Sequence, residues 1–136
     1  MRPAATPPRI RIEDSAMNRL LVHLSTGSEN PTRAALAFLV ARTALAKGHD
    51  VDLFLAGDAV GLLRDGTMDA LHGIGTGSLR EHYQALNAGG ARFFLSGMSS
   101  KARGVSPEAI GDKVVEFVPP DRLVELTFEA DRVLSY

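Results

Sequence analysis

The chain contains no cysteine, and that absence excludes a good deal of chemistry. Without a thiol there is no thiolate nucleophile, no CxxC redox pair, no Cys-ligated zinc or iron–sulfur centre and no disulfide framework. An excess of charge of one sign is missing too. Fifteen Lys and Arg stand against 16 Asp and Glu, for a formal net charge of −1. Coating nucleic acid or an acidic membrane relies on clustered cations that neutralise phosphates, so neither partner is expected. Long apolar runs are also lacking: no uncharged stretch is both long and unbroken enough to supply the about 20 apolar residues of a spanning helix. A soluble, cytoplasmic protein is the resulting expectation. With 136 residues, 45% of them apolar, the chain can bury a core as one domain without a metal or disulfide staple.

Residues 1–17 hold Pro3, Pro7 and Pro8 and no hydrophobic block that could serve as a signal-peptide core. They read as a flexible, mildly basic leader carrying Arg2, Arg9 and Arg11. Met17 directly precedes the first ordered-looking segment and is a candidate alternative translation start. Residues 18–136 are then a single domain.

From Arg19 onward, short apolar runs alternate with helical patterns. Leu20–Leu24 is a compact apolar block closed by Ser25-Thr26-Gly27-Ser28, as expected of a strand buried on both faces of a parallel sheet. Asn30-Pro31 supplies a helix cap followed by proline at the first helical position, and Gly48 ends that helix near Lys47. Val51–Leu55 reads as a second strand, followed by a turn at Ala56-Gly57-Asp58, a short helix over residues 60–63 and a Gly-rich loop over residues 65–77. Ser78-Leu79-Arg80-Glu81 has the form of a capping box and opens a helix that reaches Asn87. Arg92–Leu95 is the third strand, Ser106-Pro107 starts a helical turn, and residues 114–118 form a fourth strand. A helix then runs from Pro119-Pro120-Asp121 to Ala130, and Arg132–Ser135 is the fifth strand. Five strands joined by helical crossovers predict an α/β domain, a three-layer α/β/α sandwich around a mainly parallel five-stranded sheet. One helix stands out. Between Ala34 and Ala46 apolar residues cover nearly the whole circumference, which predicts burial on two sides, the second at a subunit interface.

Ligands of such sheets bind outside the carboxyl ends of the strands, which directs attention to loops 25–30, 56–59, 96–106 and 118–121. Gly73-Ile74-Gly75-Thr76-Gly77 fits neither a dinucleotide fingerprint nor a P-loop, and reads as a loop rather than a phosphate cradle. The histidines at 23, 49, 72 and 82 have no metal-ligand spacing, so no metal is expected. His23 reads as a core histidine, and His72 is the one best placed to reach a ligand. Among carboxylates, Glu29, Asp52 and Asp58 are the candidates for paired acid–base work. Glu29 is also explained by a favourable interaction with the following helix start. The segment Ser96-Gly97-Met98-Ser99-Ser100-Lys101-Ala102-Arg103-Gly104 is the richest. It follows a strand, offers three hydroxyls, and places Lys101 and Arg103 in a stretch without acids between Glu81 and Glu108. Such a turn suits an anion, with Ser25, Thr26, Gly27, Ser96, Gly97, Ser99, Lys101 and Arg103 as the binding set. A serine hydrolase is disfavoured, because G-x-S-x-G and S-x-x-K are both absent and no base is nominated for the hydroxyls.

Three stretches together resemble the DsrE/DsrF-like family, which includes sulfur-relay subunits of the TusBCD type and YchN-like proteins. They are the first strand running into Ser25-Thr26-Gly27 and an Ala-rich helix, the strand running into Ser96–Gly104, and the ending Glu129-Ala130-Asp131-Arg132-Val133-Leu134. The resemblance implies a homotrimer or hexamer, or assembly with sister subunits. Active sulfur carriers of the family hold a persulfide on a cysteine at the position of Ser96, and YchN-like members often have a second one at the position of Ser99. A serine hydroxyl cannot carry a persulfide. The leading expectation is therefore a cysteine-free DsrE-like protein, without a cofactor, that binds a small anion or nucleotide at the strand end. The alternatives are a non-catalytic accessory subunit of a sulfur-relay complex and, more remotely, an enzyme using Ser96 or Ser99 with His72 or Glu29.

Overall fold

The computed structural model describes residues 18–136. The proposed leader and the alternative start at Met17 lie outside them. Five parallel strands form one sheet: β1 (Arg19–Leu24), β2 (Asp50–Leu55), β5 (Arg92–Ser96), β6 (Glu116–Val118) and β7 (Arg132–Ser135), in the order β6-β5-β2-β1-β7. Leu20–Leu24 pairs with Val51–Leu55, and Leu53–Leu55 with Phe93–Leu95. These registers align the carboxyl ends of the three central strands, and the loops after them meet on one rim.

Alternation along the strands sorts their side chains onto two faces. The larger core takes Val22, Leu24, Leu53, Leu55, Phe93 and Leu95, covered by helix α1 (Pro31–Ala46) and helix α3 (Leu79–Ala88). Asn30 caps α1, its side-chain oxygen accepting the Arg33 amide at 3.1 Å. Ser78 does the same for α3 by accepting the Glu81 amide at 3.3 Å. The second face is thinner. There Leu21, Phe54, Phe94 and Val118 are covered by a single helix, α6 (Pro120–Glu129), through Leu123 and Leu126.

Three sequence expectations need correction. The Gly-rich stretch 65–77 is not an open loop. It contains a short helix α2 (Asp65–Ala70), anchored by buried Met68, and an antiparallel ribbon of β3 (His72–Gly73) and β4 (Gly77–Ser78). The left-handed conformations of Gly75 and Gly77 make the tight turn. Thr32 then fastens the ribbon to α1, accepting the Ile74 amide on its hydroxyl at 3.0 Å and the Thr76 hydroxyl on its carbonyl at 3.1 Å. The fourth main-sheet strand is shorter than expected, covering only Glu116–Val118 and leaving Val114 largely exposed. Finally, the second apolar side of α1 needs no subunit interface. It packs against α3 and the β3–β4 ribbon of the same chain. The short helix after β2 is a 3₁₀ segment spanning Gly57–Leu63, and the turn at Ser106-Pro107 gives helix α5 (Pro107–Ile110).

Candidate functional site

The turn after β5 is built by its own serines. Ser96 ends the strand and caps the short helix α4 (Gly97–Ala102), its hydroxyl oxygen accepting the Ser99 amide at 3.1 Å. The Ser99 hydroxyl oxygen in turn accepts the Gly57 amide at 2.9 Å, tying α4 to the turn that leaves β2. Arg103 donates from Nε to the Asp58 carboxylate at 3.2 Å and from its guanidinium to the Ser99 carbonyl at 3.3 Å. Arg64 donates to the carbonyls of Arg103 and Gly104, both at 3.2 Å. The segment 96–104 is thus stitched along its length to residues 57–64.

The loop after β1 joins from the other side. Gly27 lies so close to Asp58 that a Cβ there would collide with the Asp58 carbonyl. Glycine is needed at this point for the approach of two backbones. Glu29 folds back to accept the Gly27 amide at 2.8 Å, so its carboxylate shapes this loop. Ser25 gives its amide to the Tyr136 carbonyl at 2.9 Å. Ser25, Gly27, Asp58, Ser96, Ser99 and Arg103 therefore belong to one rim across β1, β2 and β5.

Lys101 does not join them. Arg103 and Lys101 are two residues apart at the end of a helix, a spacing that sends side chains in different directions. Arg103 goes to Asp58, the acid that the local sequence around it lacks. Lys101 instead lines a cavity of about 460 Å³ on another side of α4, together with Gly97, Ser100, Gly104, Val105, Ser106, Pro107 and Phe117. Lys101 forms no salt bridge among the described residues. Ser100, only 2% exposed, has a buried hydroxyl without a hydrogen-bond partner among the described residues. The expected binding set is thus split between a rim and a cavity, with Gly97 and Lys101 in the cavity. Of the walls of that cavity, Val105 lies in the 96–106 loop that the sequence singled out, whereas Pro107 and Phe117 were not marked as site residues, and Phe117 enters from β6.

The remaining candidates lie elsewhere. His72 is exposed and borders a separate cavity of about 280 Å³ with Ser28, Pro31 and Thr67. His23 is partly buried on the thinner sheet face near Phe54, and burial holds its pKa below the ordinary 6.5. Asp52 is 1% exposed and accepts a bidentate pair from Arg92 and a bond shared by both its oxygens from one Arg19 nitrogen, so it is not the partner of Asp58 in acid–base work. His82, weighed in the sequence only as a metal ligand, is buried between Thr76 and Arg42. One ring nitrogen lies 2.7 Å from the Thr76 carbonyl and the other 3.3 Å from the Arg42 guanidinium. That geometry assigns a neutral ring donating to Thr76 and accepting from Arg42. Among the described residues no helix is long and apolar enough to cross a membrane, and no three His, Asp or Glu side chains converge as metal ligands would.

Chemically, the rim offers hydrogen bonds and no activated nucleophile. Ser96 and Ser99 accept backbone amides, and no imidazole or carboxylate is hydrogen-bonded to either hydroxyl among the described residues. A parallel sheet with helices on both faces and a serine-rich turn at its carboxyl rim defines the class of small three-layer α/β domains. The chain belongs to the DsrE/DsrF-like family, whose profile matches residues 18–136. Among solved structures it is similar to the YchN protein from E. coli, with 20% identity, 88% of this chain and 99% of that one covered, and a TM-score of 0.70. It is also similar to the conserved protein of unknown function BT1422 from Bacteroides thetaiotaomicron, with 15% identity, 88% and 95% covered, and a TM-score of 0.62. These likenesses establish the fold. No curated protein matches the sequence.

Proposed function

We propose that this DsrE/DsrF-like protein binds a small anionic ligand at the turn after β5 and does not itself carry sulfur as a persulfide, Ser96 and Ser99 standing at the cysteine positions of active carriers. One observation supports the reading above the others: Lys101, a cation without an acidic partner among the described residues, lines a cavity against α4, the helix that Ser96 caps. Arg103 contributes less, because Asp58 already neutralises it. In thermal-shift measurements with sulfate, thiosulfate, phosphate, nucleotides and a simple organic sulfonate, at least one is expected to raise the melting temperature of the native chain. The rise should shrink strongly in Lys101→Ala and little in Arg103→Ala. No stabilisation by any of them, or equal stabilisation of native and Lys101→Ala protein, refutes the reading.

The second reading, an accessory or self-assembling subunit, draws on a different surface. Val124 and Phe128 lie one turn apart on α6, 56% and 86% exposed, and Val133 and Leu134 are each 41% exposed on the edge strand β7. Exposed apolar residues grouped in this way mark contact surfaces. A homo-oligomer, or assembly with sister subunits that keep the cysteine, would cover them.

A further inference from the structure

Resting on the anion-binding reading, we infer that the ligand is an organic monoanion, an aliphatic or aromatic body with a single sulfonate, thiosulfonate or carboxylate head, rather than a bare inorganic anion or a nucleotide. The cavity beside α4 carries this choice. Its volume of about 460 Å³ falls within the about 300–1,000 Å³ usual for small-molecule sites, which are mostly apolar with a few placed polar groups. Sulfate or phosphate would fill a small part of it. It would also leave the surfaces of Pro107 and Phe117 in contact with water. A nucleotide needs several cations or a run of backbone amides for its phosphates, whereas Lys101 is the cavity's single charged side chain. One cation matches one negative charge.

Val105 is 4% exposed and Phe117 is packed against the main core, so the apolar walls are set before any ligand arrives.

Calorimetric titration of the full chain with benzenesulfonate, sulfate and neutral benzenesulfonamide tests the inference. Benzenesulfonate is expected to bind at least tenfold more tightly than sulfate or the sulfonamide, with a negative heat-capacity change from apolar burial. Lys101→Gln should lower its affinity about tenfold. Sulfate binding as tightly as benzenesulfonate overturns the organic body while leaving the anion-binding reading in place. Equal binding of benzenesulfonate and benzenesulfonamide overturns the role of charge. Failure of all three probes to bind removes both.

Discussion

Asp52 shows how one residue can sit where sequence reading looks for catalysis and serve structure instead. A carboxylate in the middle of a central strand is almost wholly buried, and four hydrogen bonds from Arg19 and Arg92, between 2.7 and 3.1 Å, hold it there. Removing a buried charge strands its partners, at a cost of about 3–5 kcal/mol where those partners stay dry. Here the Arg19 and Arg92 side chains are 29% and 42% exposed and can regain water. Asp52→Asn should therefore destabilise the fold by about 2 kcal/mol, below the fully buried case. Urea unfolding at unchanged m-value checks this, and a loss under about 0.5 kcal/mol, the size of an ordinary surface substitution, would show that the cluster is incidental.

At the scale of elements, the β3–β4 ribbon depends on one threonine 42 residues away from its tip. Thr32→Val keeps the β-branched shape of the side chain and deletes the acceptor for the Ile74 amide. The expected result is a loss of about 1 kcal/mol, with hydrogen exchange accelerating at Ile74 while the β1 and β2 amides keep their protection. Uniform acceleration across both strands would place Thr32 in the global fold instead. The same ribbon explains what the sequence did and did not disclose. Strands β1, β2 and β5 and helices α1 and α3 were legible because each carries a run or period of apolar residues long enough to be read locally. Helix α2 has six residues and one fully buried side chain, Met68, too little for a helical period to emerge. The turn Ser96–Gly104 was found for the same local reason: its hydroxyls and cations are consecutive. Its division into rim and cavity was not legible, because Asp58 reaches it from the 3₁₀ segment after β2 and Phe117 from β6.

Across the whole molecule the two sheet faces are unequal. Helices α1 and α3 cover one side, and α6 covers the other, tied down by Leu126 and by Arg122 lying 5.3 Å from the Phe94 ring. The outward side of that lone helix carries Val124 and Phe128. Sedimentation velocity at micromolar concentration should show a homo-oligomer, and Phe128→Asp should shift it to smaller species without lowering the unfolding midpoint of the separated protomer. Native protein that sediments only as a monomer would falsify the self-assembly proposal, leaving a heterologous partner for that surface.

The strand order places β7 beside β1, so among the described strands of this sheet the latest in sequence completes the neighbourhood of the earliest. Asp131 accepts the Arg19 amide at 2.7 Å where the two strands begin. While the chain is still emerging from the ribosome, one edge of β1 has no neighbour, and its amides and carbonyls on that side are open to any other extended peptide. The parallel sheet thus cannot close cotranslationally in sequence order. Its completion waits for residues near 135 to clear the exit tunnel, and until then β1 is the part of the molecule most exposed to mispairing.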